Sequence, residues 1–289
     1  MKKYLIISLC LVLFLLGFSL YQAIVFNDGK LHVTICDVGQ GDAVVMRTPD
    51  QRVILFDGGP DKKVLGCLNR AMPYWERHID LMILSHPHAD HLNGLVDVLR
   101  VYSVRQFATE ELDNTSDGYK ALEQAVKKEG LVWQILYQGD RIKISHDISL
   151  NVIWPTREYI STITGDGAVV YEEVSSLELL LSYKDFRLLL TGDSQHEHLE
   201  EALRMYPAEL SNITVLQEPH HGSRTGITPE IIQAFSPQLV TISVGAKNTY
   251  GHPASNVISI LQDAGVLVVR TDKEGDLKLI TDGKSYNLK

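Results

Sequence analysis

The chain has 289 residues, 45% hydrophobic and 22% charged, an ordinary balance for a folded protein and enough length for one large α/β core. The formal net charge is −9, and with Lys2 and Lys3 outside the main body that body is more acidic still. This argues against a broad basic face for duplex DNA, while leaving room for a local basic groove or for phosphate contacts through metal ions.

Behind Met1-Lys2-Lys3 an apolar run extends from Tyr4 to Phe26. A bilayer-spanning helix takes about 20 such residues. The positive flank is that of a signal sequence, but Tyr21-Gln22-Ala23 lacks the small residue that a cleavage site needs. The expectation is an uncleaved anchor over residues 1–26, with Lys2 and Lys3 inside and a domain over residues 27–289 outside; cleaved secretion is the alternative. No second comparable run follows, so the chain is not expected to form a channel by itself. Cys10 lies in the apolar run. Cys36 and Cys67 sit in apolar surroundings, where free buried thiols are expected and one disulfide is the alternative.

Residues 31–36, 42–47 and 53–56 read as strands. Gly39-Gln40-Gly41 is a tight connection that lets backbone approach a site, or simply a hairpin-type turn. Asp42 follows it, near that site or as a turn cap, and Asp57-Gly58-Gly59 ends the third strand. A short helix covers residues 64–74. The apolar strand 79–84 then runs into Ser85-His86-Pro87-His88-Ala89-Asp90-His91. Its imidazoles and carboxylate are the ligands that suit zinc and its neighbours, and Pro87 stiffens the turn. In an extended turn alternate side chains share a side, so His86 and His88 close on one metal while Asp90 and His91 turn to a second. A polar, solvated turn is the bland alternative. Leu95 to Leu99 begin a helix.

A strand over 104–108, a loop over 113–118, an amphipathic helix over 119–129 closed by Gly130, and strands over 131–136 and 149–154 follow. Their alternation supports a layered α/β domain. Residues 156–173 are polar and glycine-containing, a candidate flexible loop over the site. Strands over 177–183 and 186–190 lead to Thr191-Gly192-Asp193. Glycine then acid at a strand end gives the close backbone and exposed oxygen of a bridging metal carboxylate; capping the helix 195–206 is the alternative for Asp193. His196 and His198 in that helix are expected to face solvent.

A strand over 213–216 leads to Glu218-Pro219-His220-His221-Gly222-Ser223-Arg224. His220 is expected to be the last ligand of the second metal, with His221 as the alternative, because spacing does not decide between them. Backbone donors at Gly222, the Ser223 hydroxyl and the Arg224 guanidinium suit an anionic phosphate, with His221 beside them; a turn with a surface arginine is the alternative. The strand 239–244 ends in a loop where Lys247 and Asn248 are candidates for a substrate anion. His252, before Pro253, is a candidate to protonate a leaving group, or a loop-stabilising residue. A helix over 256–264 and strands over 266–270 and 277–280 close the sheet.

The pattern His86-x-His88-x-Asp90-His91 resembles the signature of the metallo-β-lactamase superfamily. A closer resemblance, to the metallo-hydrolase domain of ComEC-type DNA-uptake proteins, rests on five further pieces. They are Asp37-Val38-Gly39-Gln40-Gly41-Asp42-Ala43, Phe56-Asp57-Gly58-Gly59, Thr191-Gly192-Asp193, Pro219-His220-His221-Gly222-Ser223 and Tyr250-Gly251-His252-Pro253, in family order across roughly residues 31–280. The resemblance implies an α/β fold, a four-layer αββα sandwich, here preceded by a single transmembrane or signal helix. It implies one or two divalent ions, zinc or manganese, held by His86, His88, Asp90, His91, Asp193 and His220, with Asp57 hydrogen-bonding a ligand or water and Asp42 nearby.

The activity it implies is an extracytoplasmic metal-dependent hydrolase, a phosphodiesterase or nuclease in which Asp90 and His252 carry the chemistry. The substrate would be a phosphodiester, single-stranded DNA or a cell-wall phosphoester. The alternatives are a lactonase- or β-lactamase-like hydrolase and a non-catalytic surface module that captures DNA. The sequence departs from the wider superfamily near Ser175-Ser176, where a third histidine would stand; Glu173, Ser175 and Ser176 occupy that stretch. The ComEC branch also lacks this histidine, whereas many of its members replace the histidine kept here as His88 by Asp.

Overall fold

The computed structural model describes residues 2–111, 114–164 and 175–289. Two large sheets form its centre. The first has eight strands, in the order Tyr286–Leu288, Leu277–Thr281, Leu31–Ile35, Val44–Arg47, Val53–Phe56, Leu81–Leu84, Phe107–Thr109 and Trp133–Ile135. The second has seven, in the order Leu267–Arg270, Leu239–Ile242, Val215–Gln217, Phe186–Leu190, Glu178–Tyr183, Ile148–Trp154 and Arg141–Lys143.

The near-continuous apolar runs of these strands follow from burial on both faces. Ile54, Phe56, Leu81 and Ile83 point between the sheets, where they meet Leu179, Leu181, Leu188 and Leu190. Their neighbours Val53, Leu55, Met82 and Leu84 point the other way, onto the helices Lys63–Ala71, Ala89–Val101 and Asp117–Lys128. On the second sheet Leu180, Leu189, Leu216 and Val240 pack against His196–Met205, Pro229–Phe235 and Ser255–Asp263. The layers are therefore helix, sheet, sheet, helix, the expected αββα sandwich.

Three expectations change. The helix after the histidine turn starts at Ala89 rather than Leu95, with His88 as its N-cap, so Asp90 and His91 lie in its first turn. Leu92, Leu95, Val96 and Leu99 give it one buried stripe, and a carboxylate in its first turn suits the helix dipole. Within the expected loop 156–173, Arg157–Thr164 is helical and buries Ile160; residues 165–173 of that stretch, Glu173 included, lie outside the described residues, as does residue 113. Cys36 and Cys67 are not free thiols but a disulfide, with Cα atoms 5.8 Å apart, tying the end of the first strand to the helix Lys63–Ala71.

The helix Lys2–Phe26 has 25 residues, mean hydropathy 2.4 and no buried residue. At 1.5 Å per residue it is about 37 Å long, against roughly 30 Å for a bilayer core. By length and composition it can cross a membrane.

Candidate metal centre

Each large sheet contains a run of four parallel strands, and the chemistry-bearing side chains follow their carboxyl ends. Asp57 follows Val53–Phe56, the histidine turn follows Leu81–Leu84, Asp193 follows Phe186–Leu190, and His220 and His221 follow Val215–Gln217. Crevices at these ends are where open α/β sheets bind ligands.

Asp193 is the centre of the cluster. Its Oδ1 lies 3.2 Å from His91 Nε2 and 3.5 Å from His221 Nε2. Its Oδ2 lies 3.7 Å from His86 Nε2 and 3.6 Å from His220 Nε2. Asp90 Oδ2 is 3.4 Å from His221 Nε2. Asp90, His91, Asp193 and His221 thus form one group of metal-ligand geometry, and His86, His88 and Asp193 a second that shares the same carboxylate. Asp193 precedes Gln195, the N-cap of the next helix, and is not itself the cap.

The residues fit a cation. His86 Nε2, His91 Nε2, His221 Nε2 and Asp193 Oδ1 are buried and have no hydrogen-bond partner among the described residues. Each such orphan costs about 1–3 kcal/mol, and these converge on one space. The opposite edges of the rings are engaged. His91 Nδ1 donates to Asp57 Oδ2 at 2.9 Å, and His221 Nδ1 to the Ser243 carbonyl at 3.0 Å. His86 Nδ1 meets Ser85 Oγ at 3.0 Å, and that hydroxyl donates to Asp57 Oδ2 at 2.7 Å. This sets the tautomers that leave Nε2 free to ligate.

Backbone geometry is specialised here. His220 and His221 have φ of 51° and 58°, and Asp57 has φ of 59°. The left-handed region costs an L-residue about 1–2 kcal/mol, and such strain collects at functional sites. Gly192 has φ of 50°, and a Cβ there would stand 2.1 Å from Ser176 Oγ. Only glycine lets this strand end come so close.

The field at the centre favours positive charge. Burial works against a charged His91, but the Asp193 and Asp57 carboxylates outweigh it and hold this imidazole well above its ordinary range. The same contest, with Asp193 and Asp42 prevailing, raises His221. Burial, aided by His91, lowers His86. For Asp193, burial is outweighed by His91 and His221, which hold the carboxyl well below its usual range.

Other predicted residues take distinct places. His221 joins the group of Asp90 and His91, while His220 stands on the His86 side of Asp193. Asp42 Oδ1 lies 3.6 Å from His221 Nδ1, behind that imidazole as Asp57 is behind His91. The His252 ring is 5.7 Å from that of His220 and 6.4 Å from that of His221, at the mouth of the centre. Ser223 is partly exposed, and Arg224 and Lys247 are exposed. Asn248 is corrected from anion contact to loop brace: its amide donates to the Gly245 and His252 carbonyls and accepts from His252 N, which uses both donor hydrogens. His198 is corrected from solvent-facing to buried, since its ring stacks on Trp154 and bonds the Tyr159 hydroxyl at 2.9 Å.

Ser85, directly before His86, links that ring to Asp57 through its hydroxyl, a role that only the fold reveals. Glu110, Glu178 and Glu218, all buried, carried no sequence signal. Burial pushes Glu110 and Glu178 up to about 8.

Comparison with known proteins gives concordant findings. The family profile described as Metallo-beta-lactamase superfamily matches residues 36–247. ComE operon protein 3 of Bacillus subtilis is 25% identical over 292 residues, covering 93% of this chain and 35% of that protein. Competence protein ComA of Neisseria gonorrhoeae is 27% identical over 272 residues, covering 92% of this chain and 35% of that protein. The chain thus spans about a third of the length of these curated relatives. Among solved structures, Igni18, a metallo hydrolase from the archaeon Ignicoccus hospitalis, has a TM-score of 0.53 at 14% identity, covering 86% of this chain and 98% of that one; it shares the fold.

Proposed function

This chain belongs to the metallo-β-lactamase superfamily, and from that premise we propose that it is a metal-dependent phosphodiesterase acting outside the cytoplasm. The observation that carries the reading is Asp193, whose two carboxylate oxygens each face a separate pair of imidazoles. Two divalent cations there, manganese or zinc, would supply an activated water at neutral pH and neutralise charge on both the attacking and the leaving oxygen of a phosphodiester.

The chain's own residues do the rest. Asp90, about one-third exposed, stands on the open side of the centre, where it can orient water. His252 sits over the His220–His221 pair, and burial together with those two rings lowers its basicity. That makes it a ready proton donor to a leaving oxygen when charged. The exposed Arg224 and Lys247 supply cationic contacts for a phosphate. Single-stranded DNA is the phosphodiester we propose, with a cell-wall phosphoester as the other candidate; the names of two relatives place them in competence. The acidic net charge disfavours long duplexes. The apolar helix Lys2–Phe26 supports membrane anchoring, and the disulfide supports an oxidising compartment.

The test uses the full chain in detergent, loaded with manganese or zinc. It is offered bis-p-nitrophenyl phosphate, labelled single-stranded DNA and nitrocefin. We expect phosphodiester turnover that falls by about 100-fold or more in Asp90→Ala and Asp193→Asn. Turnover of nitrocefin alone would transfer the assignment to the lactamase-like reading, and metal binding without any turnover to a DNA-capturing module.

A further inference from the structure

We propose that His220 supplies the third imidazole of the first cation site, so that the protein holds two ions on the two oxygens of Asp193. One would be bounded by Asp90, His91 and His221, and the other by His86, His88 and His220. The proposal rests on the metal-centre reading above and adds a ligand to it.

The backbone makes the first argument. Consecutive side chains in an extended segment point to opposite sides. His220 and His221 instead adopt left-handed φ and ψ in succession, at 51° and 42° and at 58° and 21°. Both rings consequently enter the same centre, 6.1 Å apart and inclined at 79°. A strained pair of this kind has a physical purpose if each ring serves a different ion.

The carboxylate makes the second. His221 Nε2 faces Asp193 Oδ1, whereas His220 Nε2 faces Oδ2, the oxygen that also faces His86 Nε2. The division of the two histidines matches the division of the two oxygens. His220 is also tied to the acid it faces, because its backbone N–H donates to the Gly192 carbonyl at 3.0 Å.

The third argument is what stands at Ser176, where the sequence lacks a histidine. The Ser176 hydroxyl is buried, accepts from the Asp193 N–H at 3.2 Å and touches His86 Nδ1 at 3.5 Å. It braces the far edge of the His86 ring, so its oxygen is spent behind the site. With serine in place of a histidine at 176, the first site has two imidazoles and the shared carboxylate, and His220, whose Nε2 faces the same carboxylate oxygen as His86 Nε2, supplies the third imidazole.

The full chain in detergent is stripped with a chelator, reloaded with manganese and passed through gel filtration; bound metal per chain is then measured by mass spectrometry and affinity by calorimetry. The variants are His220→Asn, His86→Ala, the double His86→Ala/His220→Asn, and His221→Ala. Asparagine tolerates the left-handed backbone, and circular dichroism with the unfolding temperature checks that each variant is folded. The expected result is two ions in the wild type and one in His220→Asn, with the lost ion's affinity reduced about 100-fold or more. His86→Ala and the double variant should also hold one ion, and His221→Ala should lose the other. Two ions at unchanged affinity in His220→Asn overturn the assignment of His220 while leaving the metal centre intact. A single ion in both the wild type and His220→Asn also overturns it. A wild type that binds no ion overturns the metal-centre reading with it.

Discussion

At the scale of single residues, the centre works through side chains that touch the ring edges facing away from it. Asp57 accepts from His91 Nδ1 and receives both the Ser85 hydroxyl and the Ser85 N–H, so one buried carboxylate fixes two imidazoles. Replacing Asp57 by Asn keeps an acceptor but removes its charge. Metal affinity should fall about 10- to 100-fold, measured by competition with a chromophoric chelator; unchanged affinity would show that the acid does not tune the rings. Glu110 gives a pH prediction. Burial raises its carboxyl to about 8 from an ordinary 4.5, so the folded state binds the proton more tightly than the unfolded chain does. Its contribution is therefore fully present below about pH 4.5 and is lost as pH rises through about 8. Glu110→Gln, which cannot ionise, should flatten the fall in unfolding free energy between pH 5 and 9, by an amount on the order of a few kcal/mol. A variant with the same pH profile as the wild type would contradict this. The histidine turn was legible because ligand types crowd into a few positions. His220 against His221 was not, because the left-handed backbone that brings both rings to the centre leaves no mark in spacing. Asn248 looked like an anion contact by type, yet its amide is consumed by its own loop.

At the scale of elements, strands were read well and their connections less so. Apolar runs such as Val53–Phe56 and Phe186–Leu190 announce burial on both faces. The start of the helix Ala89–Val101 is hidden from apolar periodicity because its first turn carries Asp90 and His91. The polar sequence of Arg157–Thr164 buries little beyond Ile160, so no apolar periodicity marks it as a helix. The disulfide was missed because apolar neighbours around Cys36 and Cys67 say nothing about which strand end meets which helix. It closes a loop of sequence separation 31 that carries both Asp42 and Asp57. Loop-closure entropy gives it about 3–4 kcal/mol. The Cys36→Ser/Cys67→Ser variant should lose about that much in urea unfolding, and stability unchanged from the wild type would contradict the structural role.

At the scale of the whole molecule, two sheets place the ends of their parallel strands around one crevice. The residues that meet there come from positions 42 to 252, so only the complete sandwich assembles the site. Fold class was legible because strand–helix alternation and the order of short motifs agree with it. The apolar helix was legible from length alone. The central claim is that this sandwich gathers imidazoles and acids around cations on Asp193. Anomalous diffraction from crystals of the manganese- or zinc-loaded protein tests it most directly. The account predicts two metal peaks about 3.5–4 Å apart, one against each oxygen of Asp193; crystals with no peak there, or with metal bound only elsewhere on the surface, would contradict it.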